Sequence, residues 1–360
     1  MTERIDLTEL EPNELRRAIE DFGSPAYHAS QIYHWIYKRG ITNFNQMTDL
    51  SVDLRTILCQ KSIINTPQID ERKTSNDGTE KFLIGLRDNR QIESVFIPDT
   101  PRQTFCVSTQ VGCAMRCGFC LTGRMGLARN LSAGEIVAQV RILSRAVNLE
   151  NTTFNVVLMG MGEPLHNYDA TLKAIRILCA KSGYSMTPRR ITLSTVGIPE
   201  ALIRLAKEPT IPNLAVSLHA ATNELREQLV PVNRAQNLED IIRACRHFPV
   251  SRHRRITFEY VLLSGVNDSV DDAKQLASLL RGIRSKVNLI PLNEAPAIPY
   301  SRPTDVRVDL FSHELSTNGI AVSVRKSRGR DIRAACGQLI TTGTVYSPAQ
   351  NVAAHMSKDS

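Results

Sequence analysis

From residue 104 onward the chain repeats one unit, a short β-rich run followed by an amphipathic stretch of helical period. The runs fall at 104–109, 154–159, 190–194, 214–219, 256–262 and 287–290, with 320–324 a further candidate. Few folds tolerate that alternation. Strands joined through helices run parallel, with right-handed crossovers. Six units fall short of the eight that close a barrel, so an incomplete (β/α)6-type barrel of the α/β class is expected. Such a fold gathers its chemistry at the carboxyl ends of its strands. The first crossover carries a clear helix start. Ser132 and Glu135 have capping-box spacing, and Ile136, Val137, Val140 and Leu143 follow on one face.

Residues 1–80 read differently, as a small helical accessory domain. Pro12 can open a helix in which Leu15, Ala18 and Ile19 share a face, and Gly23 can stop it. A second helix over 29–38 carries Ile32, Trp35 and Ile36 and ends near Gly40. Residues 81–100 read as a β-hairpin linker, with strand-like 81–86 and 91–97 around an Asp88-Asn89 turn. The core is then 101–343, and the polar tail 344–360 is expected to be disordered.

A chain of 360 residues, 42% of them hydrophobic, can bury one large core beside a small domain. No apolar run approaches the ~20 residues of a membrane helix, and the N-terminal MTERIDLTEL has no apolar signal core. A cytoplasmic location is expected, and there thiols stay reduced. Three of the eight cysteines fall within eight residues, which points to metal or redox chemistry rather than a disulfide scaffold. The net charge of +8 favours a polyanionic partner, although a merely basic surface has the same charge. Basic clusters stand at 189–190, 252–255 and 325–330, the last leading directly to Cys336. Such side chains can fix phosphates without reading bases.

Cys113, Cys117 and Cys120 lie in a loop just after the first β run. A structural zinc site takes four ligands, and so does a fully ligated 4Fe–4S cluster. Three thiolates leave one iron open to the amino and carboxylate groups of S-adenosylmethionine (SAM), whose sulfonium one-electron transfer can then cleave. A zinc loop with a fourth ligand from elsewhere is the plainer alternative. Against it stands a second pattern. Gly162 and Glu163 follow the second run, Ser194 ends the third, Ser217, Leu218 and His219 end the fourth, and Asn293 follows the sixth. A barrel gathers those strand ends around one pocket. Each residue alone is better read as a cap or a structural hydrogen-bonder; their joint placement makes a SAM cradle.

The stretch CVSTQVGCAMRCGFCLTGRMGLARNLSAGEI resembles the RlmN family of radical SAM RNA methyltransferases, and the resemblance runs from DLTEL near the N-terminus to Gly337-Gln338. It implies one 4Fe–4S cluster on Cys113, Cys117 and Cys120, two SAM per turnover, and SAM contacts at the seven positions just named. The implied activity is methylation of carbon 2 of adenine in 23S ribosomal RNA and in tRNA. In the implied scheme Cys336 carries a methyl group, Cys106 resolves the protein–RNA adduct leaving a disulfide, and Glu93 is the base. The implied partners are those RNAs and an external electron donor such as a flavodoxin or ferredoxin; nothing demands more than a monomer. Pro164 after Glu163 favours this family over the carbon-8 relative Cfr, which typically has Ala there. Two alternatives stay open, a radical SAM enzyme acting on a protein or small molecule, and a noncatalytic metal-stabilised RNA-binding protein. Cys59, Cys179 and Cys245 are expected to be small buried hydrophobes.

Overall fold

The computed structural model describes residues 4–99, 103–150 and 152–341. Three helices form the N-terminal part, α1 (Pro12–Asp21), α2 (His28–Tyr37) and α3 (Val52–Lys61). Pro12 opens α1 with a Glu11/Glu14 capping box, and Leu15, Ala18 and Ile19 are its buried face. Gly23 follows the helix at φ 77. A two-residue parallel pair, Ile5–Asp6 with Ser62–Ile63, ties the start of this part to its end.

Beyond it lies one ten-stranded sheet. Its strands are β1 (Gln68–Thr74), β2 (Glu80–Gly85), β3 (Gln91–Ile97), β4 (Thr104–Cys106), β5 (Asn155–Leu158), β6 (Ile191–Thr195), β7 (Asn213–Ser217), β8 (Ile256–Leu262), β9 (Ser285–Pro291) and β10 (Ala321–Val324). Every strand pairs with its neighbours in sequence, and β1 and β10 are the free edges. β4 to β10 run parallel; β1 to β4 pair antiparallel. The barrel is therefore open, with a seventh parallel strand where 320–324 was a candidate. Helices α4 (Leu121–Met125), α5 (Ala133–Ala146), α6 (Tyr168–Cys179), α7 (Pro199–Leu205), α8 (Asn223–Leu229), α9 (Leu238–His247), α10 (Val270–Leu279) and α11 (Asp305–Thr317) lie between the strands. Ser132 and Glu135 make the expected capping box of α5.

Two boundaries differ from the sequence reading. The hairpin at 81–100 is no connector, because β2 and β3 continue the barrel sheet and Asn89 turns between them at φ 61. The helical part also ends before residue 80. β1, QIDERKT, is exposed at all seven positions, so it lacks the apolar alternation that marks a half-buried strand. The expected disordered tail, 344–360, lies outside the described residues.

What faces the open edge is a segment without helix or strand, residues 325–341. It leaves β10, where the Arg325 N–H donates to Leu289 O at 2.8 Å, and reaches the far side of the sheet. There Asp331 accepts from Ser75 and Asn76, Asp77 accepts from the Gly329 N–H at 3.0 Å, and Lys81 Nζ donates to Arg333 O at 3.2 Å. This strap carries Cys336.

Candidate active site

The cysteine loop leaves a short antiparallel pair, Gln110–Gly112 with Leu127–Asn130, and enters α4. Cys113 N–H donates to Gly126 O at 2.9 Å, Cys120 N–H to Cys117 O at 3.2 Å, and Gly118 N–H to Leu229 O at 3.0 Å. Met115, Phe119 and Leu121 seat the loop in an apolar cluster with Leu229, Val230, Val261 and Leu292. All three cysteines are free thiols lining one cavity. Burial pushes Cys113 up to about 12 and Cys117 well above the ordinary thiol range. A metal centre must draw those protons off. Among the described residues no three His, Cys, Asp or Glu converge as a single ion needs. A multi-iron cluster gives each thiolate its own iron, so the sulfurs need not meet at one point.

The same cavity is lined by Gly162, Glu163, Ser194, Ser217, His219 and Asn293, as the strand-end argument expects. Leu218 is the exception. It is fully buried behind the wall, with its N–H on Glu259 O at 2.9 Å and its C=O accepting from Arg226. Gly162 sits at φ 103, and a Cβ there falls 2.6 Å from Gln110 Cβ, so no other residue fits. Glu163 accepts from the Val196 and Leu165 N–H groups at 2.9 and 3.0 Å, yet burial still raises its carboxyl to about 7. His219 Nδ1 accepts from the Val261 N–H at 3.1 Å, which puts its proton on Nε2. Burial lowers the ring to about 3, so it is neutral and a donor. Asn293 Nδ2 donates to Cys336 O at 3.2 Å, while its Oδ1 is buried with no partner. A glycine cradle, a carboxylate, two hydroxyls and an orphaned acceptor fit an amino-acid and ribose ligand such as SAM.

A second cavity lies beside the first, lined by Cys106, Cys120, Asn293, Arg325, Cys336 and Leu339 among others. Cys336 lines both cavities, with Cys120 and Asn293. The strap holds it there. Gly337 O accepts from the Leu121 N–H at 2.8 Å, Leu339 O from Thr122 Oγ1 at 2.7 Å, and Glu294 O from Gln338 Nε2 at 2.9 Å. Burial raises the Cys106 thiol to about 12 and also raises Cys336, against which the Arg325 charge works. Glu93 lines neither cavity. It sits on β3, 5% exposed, ion-paired to Lys81 at 2.8 Å and accepting from the Ile340 N–H at 2.8 Å. Burial raises its carboxyl above the ordinary range.

The basic clusters separate. Residues 189–190 and 252–255 precede β6 and β8, so they lie at the amino ends of the strands, away from both cavities. Only 325–330 lies on the cavity side, where Arg325 and Arg328 line the second cavity. Cys59 is exposed on α3, not buried; Cys179 is half-buried and Cys245 buried. Sequence reasoning missed Lys81, Thr122 and Arg226. Each has the local pattern of a surface residue, and only the tertiary contacts give it a partner.

Residues 107–277 match the family model of the radical SAM superfamily, and residues 5–64 that of the ribosomal RNA large subunit methyltransferase N-terminal domain. The dual-specificity RNA methyltransferase RlmN of Syntrophobacter fumaroxidans is 47% identical over 327 residues, 91% of this chain and 95% of the relative. That of Geobacter sulfurreducens is 46% identical over 339 residues, 94% and 93% of the two chains. A radical SAM methyltransferase from Sphaerobacter thermophilus has the same fold in its crystal structure, with a TM-score of 0.88, 46% identity, and coverage of 93% of this chain and 99% of that one. No helix among the described residues is long and apolar enough to cross a membrane.

Proposed function

The chain belongs to the RlmN family of radical SAM RNA methyltransferases, which bind a 4Fe–4S cluster and SAM, and from that premise we propose that it methylates carbon 2 of adenine in 23S ribosomal RNA and in tRNA. The observation that supports this reading best is the placement of Cys336 on the wall common to the cluster cavity and the Cys106 cavity. Carbon 2 of adenine has no nucleophilic lone pair, so a methyl group cannot reach it by ordinary displacement on SAM. A thiol able to face both cavities can take a methyl group on one side and present it on the other.

Cys113, Cys117 and Cys120 would hold the cluster, which when bound supplies the electron that cleaves SAM to a carbon radical. Glu163, Ser194, Ser217, His219 and Asn293 would orient SAM, with Glu163 toward its ammonium and His219 donating from Nε2. Cys336 accepts the methyl group as a thiolate; burial opposes its ionisation and Arg325 favours it. Cys106, across the second cavity, attacks the Cys336 sulfur once the adduct has formed, and the resulting disulfide must be reduced before the next turnover. Glu93 takes the carbon-2 proton. Its carboxylate starts in the grip of Lys81 and Ile340, so that role requires the strap to loosen when RNA enters. The target base has to leave its stack to reach such a recess. An external flavodoxin or ferredoxin completes the electron path.

The test is mass spectrometry of nucleosides after anaerobic incubation of reconstituted protein with SAM, reductant and either RNA. The expected product is 2-methyladenosine. An 8-methyladenosine product, or none while SAM is still cleaved, would overturn the carbon-2 assignment.

A further inference from the structure

Among the described residues Arg226 is the largest side chain with no solvent exposure at all. It stands on α8, which Thr222 caps from the Leu225 N–H at 3.4 Å. One turn further, Leu229 holds the cysteine loop through the Gly118 N–H and belongs to the same apolar cluster as Cys117. The guanidinium is fully engaged. Nε donates to Leu218 O at 3.1 Å, Nη1 to Asn233 Oδ1 at 2.6 Å, and Nη2 to Val196 O, with a long 3.5 Å contact to Ser217 O.

Every one of those acceptors is a neutral carbonyl. None of its hydrogen-bond partners among the described residues is a carboxylate, and two of them, Val196 and Ser217, line the cavity of the three cysteines. Burial brings the guanidinium down only to about 10, so it stays charged at neutral pH. A buried cation without a counter-ion is costly, and bracing carbonyls does not need one, since a neutral amide can donate to the same oxygens. The charge becomes compensated only when negative charge arrives in the cavity beside it.

We propose that Arg226 is the counter-charge of the iron–sulfur cluster, a positioning residue that holds the ends of β6 and β7 and raises the cluster's reduction potential. Three thiolates on a 4Fe–4S core leave a net negative centre, and the electron that reduces it adds one more negative charge. A fixed cation behind the cavity wall at Val196 and Ser217 stabilises the reduced form more than the oxidised one, through net charge around the cluster. No proton moves, and the electron comes from the external donor. The inference rests on the cluster assignment and not on the RNA or the carbon that is methylated.

The test is a redox titration of the full-length, anaerobically reconstituted protein without RNA, followed by electron paramagnetic resonance, with iron content measured first. Absence of an iron–sulfur signal in the wild-type protein would refute the cluster assignment itself and not this inference alone. Arg226→Gln should hold its iron and lose at least tenfold in the reduced-to-oxidised ratio at a fixed potential, equivalent to about 59 mV downward for one electron. Arg226→Lys keeps the charge and should recover most of that ratio. Asn233→Asp leaves the guanidinium in place and sets a carboxylate against Nη1; it should lower the potential in the same direction, and it decides the matter if Arg226→Gln fails to retain iron. An unchanged potential in the variants that hold iron overturns the proposal. So does equal loss of iron in all three, which reduces Arg226 to a brace.

Discussion

The cavity that holds Glu163, Ser194, Ser217 and His219 takes them from the ends of three neighbouring strands, β5, β6 and β7, whereas the cavity that holds Cys106 takes much of its wall from residues 325–341, which form neither strand nor helix. The first wall is rigid because the sheet is. Parallel ladders fix Ser194 beside Ala215 and Ser217 beside Glu259, and a displaced residue would break them. The second wall is pinned by side chains: Thr122 on Leu339, Glu93 on Ile340, Lys81 on Arg333, Gln338 on Glu294. Pins can be released one at a time. The contrast suits a scheme in which SAM is held in fixed geometry while the other side must open to admit an RNA base and then release a covalent adduct.

The largest expected effects separate the two cavities outright. Cys117→Ala should lose the iron, reductive SAM cleavage and all methylated adenine, read by iron content, deoxyadenosine formation and nucleoside mass spectrometry. Cys106→Ala should keep iron and SAM cleavage and accumulate protein crosslinked to RNA, visible as a gel shift that nuclease removes. Loss of iron from Cys106→Ala would show that the cavities are not independent. Cys336→Ala belongs between them: iron retained, no methylated adenine and no crosslink. Product from that variant would exclude Cys336 as the methyl carrier.

A smaller effect addresses the pins. Lys81→Met strips the cation from Glu93, whose side chain and partner are both nearly buried. Removing one member of a buried pair costs about 3–5 kcal/mol. Amide exchange at Ile340, whose N–H rests on Glu93, should accelerate, while amides of β5 to β8 keep their protection. Uniform loss of protection across the sheet would mean that the strap is as integral as the strands.

The same contrast governs what was legible in the sequence. Period and punctuation locate strand ends, so Glu163, Ser194, Ser217, His219 and Asn293 could be placed around one pocket before any coordinates. Leu218 failed within that logic because alternation along the chain turns its side chain away from its neighbours. The strap had no such handle. Most of its anchors lie more than 200 residues away in sequence, as with Lys81 to Arg333 (252) and Glu93 to Ile340 (247), and no local pattern encodes them. β1 was invisible because all its side chains are exposed. Arg226 follows Leu225 and precedes Leu229 on a short helix, where an arginine ordinarily faces water; its burial follows from the three carbonyls that converge on it.

The smallest predicted effect probes charge within the rigid cavity. Glu163 has a folded-state pKa of about 7 against an ordinary 4.5, with burial as the main cause. A raised carboxyl favours the protonated fold, so its contribution to stability is complete below about pH 4.5 and is lost as pH rises through about 7. At 1.36 kcal/mol per unit the full swing is about 3 kcal/mol, an upper figure for a site that can relax. Glu163→Gln cannot ionise, and its unfolding free energy without SAM should lack that decline between pH 5 and 7. SAM reverses the preference, because its ammonium wants the carboxylate. Binding to the wild-type protein near pH 6 should therefore release a proton, detected calorimetrically in buffers of different ionisation enthalpy, and binding to Glu163→Gln should release none. Equal proton release by both proteins would remove Glu163 from the ammonium and leave it as a clamp on Val196 and Leu165 alone, making the first cavity rigid in shape but not tuned in charge.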